Sequence, residues 1–314
     1  MKVLMLDGGM GTELARRGFD VSDTLWSARA LLQHPDEIEQ VHYDYLAAGA
    51  DCITTASYQI SIEGFAKAGL SREEAAAAFQ RSVELARRAR GRLIGEGGPR
   101  RRPVIAASVG PFGAALADGS EYRGAYHATY AELYAFHYQQ VHELDQAQPD
   151  LLACETLPSG DEADVLMQVL RHFPTLPAWF SFTCANERLT AHGEEIAECA
   201  RVLDRERQVV GIGVNCTAPQ YVAGLIGELR NATRKPIVVY PNAGRTWDAR
   251  ARAWVGETVE ADWGKLALDW YDRGARWIGG CCGTTPETIR AMRASIEERY
   301  PGAFEADPES SGGV

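Results

Sequence analysis

The sequence predicts a single-domain α/β fold, a (β/α)8 barrel. Three observations lead there. Eight short, near-continuously apolar runs recur along the chain, as in strands buried on both faces. A helical pattern follows each run. Polar, glycine-flanked residues gather just after the runs, where the C-terminal rim of a barrel would lie. Alternating units of roughly 30–40 residues fill this length, which suits the TIM barrel architecture. A doubly wound open sheet would usually show a Gly-x-Gly-x-x-Gly turn after its first strand, and none is present. No Pro/Gly/Ser-rich linker divides the chain, so residues 1–300 read as one domain.

The expected strands are Val3–Leu6, Cys52–Ala56, Val104–Ser108, Leu151–Glu155, Ala178–Thr183, Val209–Cys216, Pro236–Tyr240 and Ala275–Gly280. After the first, Gly18–His34 reads as a linking segment and Pro35–Ala48 as a helix. Ser71–Arg90 opens on a capping box, with Glu74 three residues after Ser71. The third helix is expected over Glu121–Gln146. Gly160–His172, Gly193–Arg205, Pro219–Asn231 and Thr258–Arg273 follow. In the last, Pro286–Arg299, Thr285 stands as the cap before a first-turn proline. The stretch Arg87–Arg102 carries seven arginines and reads as a solvated insertion. Residues 301–314 are Gly/Ser/acidic and expected to be disordered.

Composition excludes several classes. Lys plus Arg number 32 against 43 Asp plus Glu, for a formal charge of −11. Nucleic acid or an anionic membrane would need a basic footprint. There is no transmembrane run, and the start turns polar too soon for a signal peptide. Seven cysteines is an odd number and sparse for this length, which fits a reduced, cytoplasmic protein.

Three of those cysteines sit at expected strand ends. Cys216 closes the sixth strand, and Cys281-Cys282 follow the eighth between glycines. In a closed barrel those ends are close, and three thiolates around one Zn²⁺ leave a fourth position open for catalysis. The competing readings are buried free cysteines or a vicinal disulfide. Cys52, Cys154, Cys184 and Cys199 lack such company and read as structural.

Asp7 and Glu155 end the first and fourth strands with few basic residues at the rim to pair with them. Buried carboxylates need compensation, so a cationic substrate group is the natural partner. The alternative is a cap or loop hydrogen bond. Gly8, Gly9 and Gly11 would let backbone N–H groups approach an anion. Trp26, Tyr58 and Phe112 are aromatic candidates for a cation-binding wall, or core residues.

The ordered set from Leu6-Asp7-Gly8-Gly9-Met10-Gly11-Thr12-Glu13-Leu14 through Thr54–Gln59, Ala107–Gly113, Cys154-Glu155-Thr156, Gly213–Cys216 and Tyr240-Pro241-Asn242 to Gly279–Thr284 resembles the homocysteine S-methyltransferase family. The resemblance implies zinc held by Cys216, Cys281 and Cys282. It implies that Asp7 and Glu155 bind the homocysteine amino group and that the backbone of Gly8, Gly9 and Met10 meets its carboxylate. Asn215 falls in the site of relatives, and Trp26 stands where a donor-pocket tryptophan does. Relatives often carry Thr-Asn-Thr-Tyr on the second strand, where this chain has Thr55-Ala56-Ser57-Tyr58, leaving Ser57 as the polar substrate-binding candidate. The compact length favours S-methylmethionine or S-adenosylmethionine as methyl donor. Betaine, a methylfolate or a selenol acceptor are the alternatives within the family.

Two other classes compete. A zinc hydrolase or lyase would want histidine or carboxylate ligands, and the histidines do not fall at strand ends. A non-catalytic zinc or thiol-redox barrel would want a fourth ligand to close the site.

Overall fold

A computed structural model describes residues 2–20, 26–98, 101–244, 246–248, 253–255 and 261–305. Seven barrel strands come first: β1 (Leu4–Met5), β2 (Cys52–Thr54), β3 (Val104–Val109), β4 (Leu151–Leu157), β5 (Ala178–Phe182), β6 (Val209–Asn215) and β7 (Ile237–Tyr240). A short antiparallel hairpin follows, β8 (Thr246–Asp248) with β9 (Ala253–Val255). The eighth barrel strand is β10 (Ala275–Ile278), which pairs in parallel with both β7 and β1. A parallel bridge between Leu6 and Cys52 joins β1 to β2 and closes the ring. The expected (β/α)8 architecture is therefore observed.

The strands are buried on both faces, which is why their sequences read as unbroken apolar runs. Outward-facing residues such as Met5, Ile53, Ile105, Phe180 and Val239 pack with the helices into the main core. Inward-facing residues form a second cluster of Leu4, Leu6, Cys52, Ala106, Ala153, Trp179, Val238 and Tyr240. Small Ala106 and Ala153 leave room for the Trp179 indole, whose Nε1–H donates to Tyr240 Oη at 3.0 Å. The barrel interior is thus filled, and ligands are confined to its ends.

The surrounding helices are α1 (Met10–Arg16), α2 (Trp26–Gln33), α3 (Pro35–Ala47), α4 (Ile62–Lys67), α5 (Arg72–Gly95), α6 (Phe112–Leu116), α7 (Tyr130–Gln146), α8 (Gly160–Leu170), α9 (Ile196–Asp204), α10 (Pro219–Arg230), α11 (Trp263–Arg273) and α12 (Pro286–Arg299). Both expected caps form: Ser71 and Glu74 make the box that starts α5, and Thr285 caps α12.

Several boundaries differ from the sequence reading, each for a local reason. The helix expected over Glu121–Gln146 is broken. Ser120–Tyr122 form one 3-10 turn, Gly124 takes a φ of 65°, and α7 begins at Tyr130 behind a Thr129–Glu132 capping box. Part of the Arg-rich insertion is helical, since α5 continues to Gly95. Arg90 is buried there and bonds Asp150, while Arg92 lies over the Tyr43 ring. The linking segment before α3 contains α2. The expected disordered tail is placed as far as Glu305: Ala303 O accepts from Val3 N, and Phe304 is buried under Arg293. Residues 306–314 lie outside the described residues. The seventh helix starts at Trp263, capped by Asp262, and Thr258 lies outside the described residues.

Candidate metal centre and substrate cradle

Cys216 directly follows β6, and Cys281-Cys282 follow β10 after two glycines. Both loops are stitched to the end of β7, which lies between them. Cys216 N–H donates to Tyr240 O at 3.2 Å, and Cys281 N–H to Pro241 O at 2.8 Å. Ala243 N–H returns a bond to Cys282 O at 2.8 Å. Cys216 itself takes a φ of 48°, the left-handed region that few non-glycine residues occupy.

The three sulfurs converge as a result. Cys216 Sγ is 3.7 Å from Cys282 Sγ, Cys281 Sγ is 3.9 Å from Cys282 Sγ, and all three lie within 4.8 Å of one another. Tetrahedral zinc with Zn–S bonds of about 2.3 Å demands sulfurs about 3.8 Å apart. The donor set fits one such ion with a fourth position open. A disulfide needs about 2.05 Å, and all seven cysteines are free. Thiol hydrogen bonds from Cys281 and Cys282 hold Cys216 well below the ordinary thiol range. No other group of three candidate ligands gathers among the described residues.

Two carboxylates flank this trio. Asp7, just past β1, accepts from Thr54 N at 2.7 Å and from Thr54 Oγ1 at 3.0 Å, which fixes it against β2. Glu155, in β4, accepts from Ser108 Oγ of β3. Both are at least nine-tenths buried, and neither has an ion pair among the described residues. Burial pushes Asp7 well above the usual carboxylate range, with the Glu155 charge adding to it. Burial also pushes Glu155 up to about 7, helped by the Cys281 sulfur. Two desolvated acids without a cation are the kind of pair that an ammonium group would compensate.

The loop between Asp7 and α1 lies against the cysteine loop. Gly280 N–H donates to Asp7 O at 2.9 Å. A Cβ on Gly9 would sit 2.8 Å from Cys281 O and 3.2 Å from Cys282 Cα, so only glycine permits this approach. Gly8 and Met10 flank it, Met10 being the first residue of α1.

Asn215 is fully buried, and its amide is turned inward. Its Oδ1 accepts from Thr156 N at 2.7 Å and from Ser181 Oγ at 2.8 Å, and its Nδ2 donates to Thr156 Oγ1 at 2.7 Å. It ties the strand that carries Cys216 to the strand that carries Glu155. Ser57 is also fully buried: its hydroxyl donates to Ser108 O at 2.6 Å and lies 2.8 Å from Thr55 Oγ1. That hydroxyl ties the loop after β2 to β3. Trp26 opens α2, and its side chain lies outside the described ones. Phe112, half-buried, packs on Phe136 and Tyr126 with ring centroids 5.2 and 5.5 Å away.

Sequence reasoning missed the residues that hold these groups. Thr54 and Ser108 fix the two carboxylates, and Tyr122 places its hydroxyl 3.8 Å from Cys216 Sγ. The Asp118-Gly119 turn signal before Ser120 was the available clue that this segment is a rim loop.

The fold and site define a (β/α)8 barrel whose rim gathers three convergent cysteines and two buried carboxylates. The family model for homocysteine S-methyltransferase matches residues 4–296. Homocysteine S-methyltransferase YbgG of Bacillus subtilis (strain 168) is 46% identical over 295 residues, covering 93% of this chain and 94% of its own. The homocysteine S-methyltransferase of Escherichia coli (strain K12) is 44% identical over 294 residues, with 93% and 94% covered. The metallated form of homocysteine methyltransferase MmuM from Escherichia coli superposes with a TM-score of 0.85 at 41% identity, covering 94% of this chain and 96% of that one. This chain belongs to the homocysteine S-methyltransferase family and is a methyltransferase.

Proposed function

We propose that this chain transfers a methyl group from a sulfonium donor, S-methylmethionine or S-adenosylmethionine, to the thiol of homocysteine, giving methionine. The observation that carries this reading is the pairing of three convergent cysteines with two buried, uncompensated carboxylates on the same rim. Cys216, Cys281 and Cys282 would hold zinc, which supplies the Lewis acidity that removes the homocysteine thiol proton at neutral pH.

The chain's own residues do the rest. Asp7 and Glu155 receive the homocysteine ammonium, and the backbone of Gly8, Gly9 and Met10 faces its carboxylate. Thr54 and Ser108 keep the two acids aimed. The acceptor sulfur attacks the donor methyl carbon in line. A new S–C bond forms, the donor C–S bond breaks, and its electron pair leaves with the donor sulfur as a neutral thioether. Anion and cation are both neutralised, so desolvating them together favours the transition state.

All seven cysteines are free, which supports a reduced compartment such as the cytoplasm. Among the described residues no helix is long and apolar enough to cross a membrane. The partners in this reading are homocysteine and one small donor. Its test is a transfer assay with homocysteine against S-methylmethionine, S-adenosylmethionine, betaine and a methylfolate, alongside zinc analysis. Methionine formed from a sulfonium donor by zinc-loaded protein is the expected result. Turnover with betaine or methylfolate alone, or none at all, would overturn it.

A further inference from the structure

Buried polar atoms in a folded protein nearly always have partners. Ser120 Oγ and Glu121 Oε2 are adjacent exceptions on the 3-10 turn whose Tyr122 reaches Cys216. Ser120 is 1% exposed and Glu121 6%. The Tyr58 hydroxyl, buried near the Thr156 side chain, makes no hydrogen bond of ordinary geometry either. Tyr58 is near enough to Glu121, Cys216 and Glu155 to feel the charge of each. Tyr122, next in sequence, reaches Cys216 directly.

The backbone is shaped to bring Glu121 to this place. A Cβ on Gly113 of α6 would lie 2.5 Å from Glu121 N and 2.9 Å from its Cα. Only glycine lets the 3-10 turn seat against the loop that follows β3. The turn before it takes Ala117 at φ 53° and Gly119 at φ 75°. Arg123 acts on the Glu121 carboxylate from a distance, Asp118 opposes it, and no ion pair reaches it among the described residues.

We infer that Glu121, with Ser120 and the Tyr58 hydroxyl, recognises the primary ammonium of the methyl donor and so selects an amino-acid sulfonium. This deepens the proposed function and rests on it. The acceptor's ammonium already has Asp7 and Glu155. A third buried acid, set one residue from the tyrosine that touches Cys216, calls for a second ammonium. S-methylmethionine carries one on the same short chain as its sulfonium. Betaine carries no N–H, and a methylfolate has no amino-acid ammonium.

The test compares S-methylmethionine with its desamino analogue, dimethyl(3-carboxypropyl)sulfonium, on zinc-loaded wild-type protein and on Glu121→Gln. Two ratios of amino to desamino donor are read: binding constants by calorimetry without homocysteine, and kcat/KM with it. Wild-type protein should prefer the amino donor by at least about tenfold, and Glu121→Gln should lose most of that preference. An unchanged ratio, including an equal fall with both donors, overturns the inference. Glu121→Asp, which withdraws the charge by one methylene, gives the same readout if Glu121→Gln does not fold. Failure of the proposed function appears separately, as wild-type protein that makes no methionine from any sulfonium donor.

Discussion

The amide of Asn215 holds Thr156 at both ends, by Oδ1 to the backbone N–H and by Nδ2 to the hydroxyl, each at 2.7 Å. Asn215 precedes the metal-side Cys216, and Thr156 follows Glu155. Both Thr156 and Cys216 have positive φ, at 59° and 48°. One side chain therefore locks two strained strand ends in register. Asn215→Ala would orphan a buried N–H and hydroxyl, and should destabilise the fold by about 1–3 kcal/mol in urea melts. Metal affinity should fall about 10–100-fold in chelator competition, as when an outer-shell partner is lost. Wild-type affinity in the variant would show that the lock does not position Cys216.

Cys282 bridges the trio, with contacts to both other sulfurs. Cys282→Ser should abolish stoichiometric zinc by elemental analysis and stop methyl transfer. Chelation of the wild-type protein should remove activity while circular dichroism stays that of a folded barrel, because the three cysteines follow the strand ends and neither apolar cluster is built from them, Cys281 only packing against the inner one. Cooperative unfolding on chelation would mark the metal as structural.

Glu155 accepts from Ser108 and has no cationic partner among the described residues. Glu155→Gln keeps the shape and removes the charge. The homocysteine KM should rise at least about tenfold, the scale of a lost charge-assisted hydrogen bond. Steady-state kinetics with unchanged KM would remove Glu155 from the amine cradle.

Glu162 of α8 is buried away from the metal, accepting from Phe112 N at 2.6 Å and lying 2.8 Å from His137 Nε2. Burial pushes it from 4.5 up to about 8, and pushes His137 from 6.5 down to about 3. Between about 4.5 and 8 the native Glu162 keeps a proton that the unfolded chain has released. Its contribution is full at the acid end and is lost as pH rises through about 8. His137 acts in the other window, opposing the native state as pH falls from about 6.5 to 3. The two slopes oppose each other between about 4.5 and 6.5, so the Glu162 loss stands alone from about pH 6.5 to 8; melting temperature should decline there, and Glu162→Gln should flatten that decline. An equal slope in the variant would mean that Glu162 is ionised throughout.

The barrel was legible because strands buried on both faces leave unbroken apolar runs, and because Cys216 and Cys281-Cys282 stand where two such runs end. The broken helix before α7 was not. An apolar pattern continues through Ala125, Tyr126 and Tyr130, and it masked Gly124 and the Thr129–Glu132 box, which are the true punctuation. Ser57 looked like a ligand residue by position on its strand, yet its partner, Ser108 O, is 51 residues away. Glu121 was hidden for the same reason: that its Oε2 is buried without a partner shows only once the barrel is assembled.

Trp179 and Tyr240 plug the barrel axis beneath the rim. The inner cluster therefore closes the axis below the cysteines, and anything that reaches them has to come from the rim side.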